Sequence, residues 1–258
     1  MYHKLMIVVG LLTTVAVFFM QCVQSPVAAK DPRGKQFAGS ASCMGCHKNL
    51  FDSYIHTPHF NTSEKASFAR LKNKINTHNN KVAFTNNQTV SVEEKKETYF
   101  QSYYKDDKLV ATESMDITFG SGEKAQTFAY WKDQQLFELP LTYLHEMNIW
   151  TNSPGFPIDQ PNYNRVITGR CLECHSSFAQ KTTVKTGAME IAEKLSPNTI
   201  ILGIDCERCH GAAAQHVQFH TDHPAEKKAM FMQSISALTR QQNRSRCTWH
   251  ANAIPAIE

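Results

Sequence analysis

Three pentapeptides share one pattern: "CMGCH" at 43–47, "CLECH" at 171–175 and "CERCH" at 206–210. Together they hold six of the chain's eight cysteines. In each, two thiols three residues apart lie on one side of a helical turn, and histidine follows at once. Such thiols can each add across one of the two vinyl groups of a porphyrin, and the adjoining imidazole then projects to the iron. C-x-x-C-H is the attachment signature of c-type haem. The expectation is therefore three covalent haem c groups. Cys43, Cys46, Cys171, Cys174, Cys206 and Cys209 would hold them, with His47, His175 and His210 as proximal ligands.

Two other chemistries use the same residues. A structural zinc site needs Cys or His pairs converging on one metal. Three copies with histidine directly after the second cysteine do not divide into four-ligand sets. A thioredoxin-type C-x-x-C sits in a βαβ context, and the sequence contains none.

The chain has 12 histidines, most of them close to the pentapeptides, and these are candidates for the sixth ligands. "YIHTPHF" supplies His56 and His59 just after the first motif. His216, His220 and His223 follow the third, four and three residues apart, so a continuous helix puts them on one face. The alternative for each is a solvated polar face. His78 and His145 read as surface or strand residues. Met189, Met230 and Met232 could ligate iron, but read as core packing. Two histidines on each iron give saturated, low-potential sites suited to electron passage. A missing sixth ligand leaves an iron open to a small molecule.

Other elements must position these residues. Lys4 followed by the uncharged apolar stretch 5–20 reads as an export signal, short for a spanning helix. "FFMQC" would make Cys22 a lipid-modified first residue, "PVAAK" would be an ordinary cleavage site, and an uncleaved anchor is the third option. All three place the rest of the chain outside the cytoplasm, in the periplasm or cell envelope. Residues 31–40 are a linker. A helical pattern over 46–69 breaks at Pro58. Residues 81–145 alternate ("KVAFT", "ETYFQSYY", "KLVATES", "TFAYW") between polar turns, which predicts an antiparallel β-meander insert. Residues 150–164 form a loop, and helices are expected at 186–195, 212–220 and 225–240. The fold class is thus α+β, with short helices and loops around the motifs, in one haem-bearing domain over 31–258 after a signal at 1–30. "RCTWHA" is a near-miss motif: Cys247 precedes His250 by three residues, and the second cysteine is absent. A fourth haem is doubtful, and the motif reads as a truncated or frame-altered copy.

Hydrophobic content of 41% and charged content of 19% describe an ordinary folded protein. The net charge of +4 is scattered, with no basic run interleaved with aromatics, so nucleic acid is not a partner.

The motif set resembles the multihaem c-type cytochromes, particularly the exported group related to the tetrahaem carriers of hydroxylamine-oxidation pathways. "GSASCMGCHKNLFDSYIHTPHF" is similar to that family's opening, with Tyr54, Thr57 and His59 in the places of an aromatic, a hydroxyl residue and a histidine. The resemblance implies His59 rather than His56 as a distal ligand. "GIDCERCHGAAAQH" matches C-x-x-C-H-G with a histidine six residues on, which points to His216. "YWKDQQLFELPLTYLHEMNIWTNSPGF" looks like the strand-rich insert of relatives. The likeness covers most of 36–250 and departs from the family at Cys247–His250.

These readings converge on an exported electron carrier. Its partners would be redox proteins or a quinol-linked membrane complex, with membrane anchoring through a Cys22 lipid. The alternatives are a reductase of a small nitrogen or sulfur oxyanion at an open iron, and a degenerate subunit with incomplete haem loading.

Overall fold

A computed structural model describes residues 31–72, 75 and 78–233. The expected signal at 1–30 with Cys22, the near-miss motif at Cys247 and His250, and residues 234–240 of the last expected helix lie outside the described residues. Pro32 opens the second of the chain's two units, which carries all three motifs.

Helices α1 (Ser40–Met44) and α2 (Lys48–Tyr54) straddle the first motif. Strand β1 (Ser63–Lys65) and helix α3 (Phe68–Leu71) follow. Eight strands come next: β2 (Lys81–Phe84), β3 (Gln88–Lys95), β4 (Thr98–Lys105), β5 (Lys108–Ser114), β6 (Ile117–Phe119), β7 (Ala125–Lys132), β8 (Gln135–Leu144) and β9 (Ile149–Asn152). β10 (Arg165–Ile167) leads into α4 (Gly169–His175), which is the second motif. β11 (Ser176–Phe178), β12 (Lys181–Lys185), β13 (Ile191–Leu195) and β14 (Ile201–Leu202) precede α5 (Cys206–His210), the third motif, and α6 (Ala214–Asp222). The fold is α+β, with several antiparallel sheets and few, short helices.

The strands form because alternation gives each one an inward face and because their turns are local. Two-residue turns at Lys96-Glu97, Asp106-Asp107 and Asp133-Gln134 join β3 to β4, β4 to β5 and β7 to β8. All six residues have positive φ, the geometry whose twist matches the flanking strands. The meander is split between two sheets. One runs β2-β3-β4-β5, and the other runs β1-β6-β7-β8-β10 with β9 on β8. Val90, Val92 and Tyr99 of the first sheet share a buried cluster with Phe128, Tyr130, Leu139, Leu141 and Tyr143 of the second. Each such side chain contributes about 1.5–3 kcal/mol by leaving water. Gln101, fully buried, accepts from the Leu141 amide at 2.8 Å and donates to its carbonyl at 2.9 Å, so a side-chain amide stitches the sheets where no strand can.

Side chains alternate across a strand, so Ala129 and Leu136 point away from that cluster. They join Ile117, Phe119, Ile167, Leu195 and Leu172 in a second one. Leu172 lies inside the second motif, which is thereby seated on the larger sheet.

Three expectations need correction. Residues 186–195 form the turn and second strand of the β12–β13 hairpin, not a helix, because five residues pair with Lys181–Lys185. The 46–69 pattern resolves into α2, turns, β1 and α3. Residues 225–233 contain no helix.

Candidate functional site

The third motif is the best anchored. Asp205 caps α5 by accepting from the Arg208 amide at 2.8 Å, and the turn that follows carries Cys206, Cys209 and His210. Between the cysteines stand two charged residues that are nonetheless buried, Glu207 and Arg208. One oxygen of Glu207 accepts from the Ala38 amide at 2.9 Å and the Ala213 amide at 2.8 Å. The other accepts from the Gly39 amide at 2.8 Å and from Arg33 at 2.9 Å. Arg33 also pairs with Asp205 at 2.8 Å. Arg208 donates to the Glu173 carbonyl, inside the second motif, at 2.9 Å. The two middle residues of the third motif therefore reach toward the other two. The thiols of Cys43 and Cys206 share a hydrogen bond, which pushes the Cys43 thiol up, with burial adding to the rise, and lowers the Cys206 thiol to about 7.

The second motif is held by Leu172 and by the segment that follows the first. His175 Nδ1 lies 3.0 Å from Thr62 Oγ1 and 3.3 Å from the Thr62 carbonyl. A carbonyl only accepts, so it favours the proton on Nδ1 and leaves Nε2 for a metal. The Phe119 ring stands nearly perpendicular to that of His175, with centroids 5.5 Å apart. The Ser63 hydroxyl donates to the His175 carbonyl and accepts from the Gly203 amide at 3.0 Å. Gly203 has φ of +71°, and a Cβ there would fall 2.1 Å from the Phe60 carbonyl oxygen. Tyr54, marked by the resemblance, donates to the Ile204 carbonyl at 2.8 Å.

The first motif has no such bed: α1 and α2 bury no residue. Across from His47 stands His216 of α6, with ring centroids 6.3 Å apart and planes 15° from parallel. An imidazole nitrogen lies about 2.0 Å from a first-row metal, so two rings on opposite sides of one ion have centres roughly 6 Å apart. His216 Nδ1 lies 2.7 Å from the Met230 carbonyl, which again leaves Nε2 for a metal.

The remaining expected ligands are less closely held. His220 tilts against His216 at 4.6 Å. His223 is exposed, stacks on Phe219 at 4.5 Å and bonds the Phe219 carbonyl through Nδ1 at 3.0 Å. His56, His59 and His210 are exposed. Among the described residues, no ring contact joins His59, His175 or His210 to another histidine. His145 bonds Gln126 at 2.9 Å on the strand insert. Met189 does not pack in a core; it is fully exposed on the β12–β13 turn. Met230 serves His216 through its backbone.

The donor set fits haem: thiol pairs within single helical turns, imidazoles with Nε2 left over, and six thiols free of disulfides. Among the described residues, no three His, Cys, Asp or Glu side chains converge as a metal site, as the zinc alternative requires. Sequence reasoning missed Arg33, Glu207 and Arg208. The available signal was the pair of opposite charges between two cysteines of one motif.

Residues 158–211 match the family model described as "Cytochrome c554 and c-prime", a window that contains both CLECH and CERCH. This segment resembles a c-type cytochrome. The window covers about a fifth of the chain, and it includes Leu172, Glu173, Glu207 and Arg208. No curated protein matches the chain. Among solved structures it is similar to the Outer Cell Wall Cytochrome OcwA, with 16% identity and a TM-score of 0.43 over 78% of this chain and 35% of that one. The chain thus spans about a third of that protein's length. Among the described residues, no helix is long and apolar enough to cross a membrane.

Proposed function

We propose that the protein is an exported multihaem c-type cytochrome that carries electrons through three covalently bound haems. The observation that carries this reading is the facing pair His47 and His216, near-parallel at 6.3 Å, beside a complete C-x-x-C-H motif. The cytochrome-like window around the second and third motifs supports the same chemistry there.

Haem, when bound, supplies a one-electron iron couple. The chain's part is to tether and orient it. Cys43 and Cys46 would hold the first group, with His47 as proximal ligand and His216 as distal. Cys171 and Cys174 with His175 would hold the second, and Cys206 and Cys209 with His210 the third. A saturated iron exchanges electrons without binding substrate. The Cys206 amide donates to Ser40 Oγ of α1 at 3.4 Å, so the proposed attachment points of the first and third groups adjoin, which suits transfer between them. His59 stays the proposed distal ligand suggested by the resemblance, and His223 a further candidate. The apolar stretch at 5–20 supports export to the periplasm or envelope, where a redox protein or a quinol-linked complex would supply or take the electrons.

The test is expression with haem-maturation machinery, followed by intact mass, optical spectrum and EPR. Three haem additions with low-spin signals are expected. A high-spin signal that shifts with added small oxyanions would instead favour a reductase, and a colourless protein of unmodified mass would end the reading.

A further inference from the structure

We infer that Glu207, a middle residue of the third motif, is the positioning residue for the His47 and His216 pair of the first. The inference rests on the proposal that these two histidines flank one iron.

His47 caps the N-terminus of α2 and His216 sits on α6, and these helices bury nothing: α1, α2 and α6 have no buried residue. Apolar packing therefore does not fix their separation, yet two metal bonds of about 2 Å tolerate only tenths of an ångström. Something rigid must hold α1 against α6. The Glu207 carboxylate sits where both begin. It takes the amide of Gly39, the N-cap of α1, and that of Ala38 before it. It also takes the amide of Ala213, the N-cap of α6. Arg33 holds the same carboxylate from the fourth side and ties it to Asp205. One backbone bond runs parallel to this clasp, from the Ala214 amide to the Gln36 carbonyl at 3.0 Å. The Glu207 side chain is wholly buried, so water offers its four donors no substitute.

A planar anion is the right group for this task. It presents acceptors only, two on each oxygen, and all four partners here are donors. Glutamine has the same shape but turns an NH₂ toward two of those donors, which breaks half of the clasp and opposes donor to donor. Aspartate keeps the charge and lacks the reach.

The experiment compares Glu207→Gln, Glu207→Asp and His216→Ala in the haem-matured full chain by intact mass, EPR and imidazole titration. Glu207→Gln is expected to keep all its covalent haem while one haem turns high-spin. That haem should take up one equivalent of imidazole, which the parent protein does not. Glu207→Asp should show the same change in part. His216→Ala should reproduce it in full, and adding Glu207→Gln to it should change nothing further. Glu207→Gln with every haem low-spin and no imidazole uptake would overturn the inference. A loss spread over all haems would do the same, as would failure of both Glu207 variants to acquire haem, because Glu207 would then serve folding at large. If His216→Ala itself leaves the spectrum unchanged, the ligand assignment fails instead.

Discussion

The imidazole of His47 faces that of His216 at 6.3 Å, 15° from parallel, and the two belong to opposite ends of the described chain. If both bind one iron, the distal position is open to a ligand swap that leaves attachment intact. His216→Met should raise the midpoint potential of one haem by on the order of 0.1 V, since a thioether favours the ferrous state. A potentiometric titration followed optically checks this, with the other haems unmoved.

Arg33 pairs with two buried carboxylates, at 2.8 Å from Asp205 and 2.9 Å from Glu207. Removing one partner of a buried pair leaves uncompensated charge, which costs about 3–5 kcal/mol. Arg33→Met should therefore lower stability by that order. Chemical denaturation of the variant against the parent reads it directly.

Glu93 sets an acid limit on the strand insert. Burial alone would raise its carboxyl, but Lys95 at 2.6 Å, Tyr104 at 2.6 Å and Ser91 at 2.8 Å pull it from 4.5 down to about 2. A carboxyl lowered on folding stabilises fully above its unfolded value, and that stability fades as pH falls from 4.5 toward 2. Its charged partner Lys95 is about half exposed, so screening holds the effect to about 1 kcal/mol or less. Glu93→Gln should flatten the denaturation midpoint in that window, as a urea series across pH would reveal.

Removal of haem should act unevenly. Strands β3, β4, β7 and β8 bury their own core, and α4 buries Gly169 and Leu172, whereas α1, α2 and α6 bury nothing. Hydrogen exchange on apo and holo protein should show equal protection in the four strands. Protection should be lost over 40–54 and 214–222, with the second motif in between.

The strand insert was legible because its signals are local: alternation within each strand and a two-residue polar turn between them. The hairpin at 181–195 was not. Ala, Met, Glu and Lys in "GAMEIAEKL" favour a helix in isolation, but Thr182, Thr183 and Val184 supply cross-strand partners and the Leu195 amide bonds the Gln134 carbonyl at 2.8 Å. That pairing is a property of the fold, absent from any window of sequence. The three pentapeptides stand out in the sequence because their spacing is local, and the structure sets CLECH and CERCH each within one short helix. His216 could be named as a candidate, but its approach to His47 could not, since residues so far apart in sequence meet only in the fold. The opposite charges of Glu207 and Arg208 between two cysteines mark the motif as unusual but do not say which distant segments they reach.

The bonds from the Ala38 and Gly39 amides to Glu207 tie the start of the described residues to a segment at least 168 positions later, and this has a consequence for biosynthesis. A polypeptide made from its amino terminus delivers the first pentapeptide long before the residues that complete its surroundings. Until 207–216 arrive, that pentapeptide has neither its clasp nor its opposing ring. If the first pentapeptide holds a haem, the earliest such site to be synthesised is thus among the last to be completed, and a chain cut short before residue 207 would carry it unfinished.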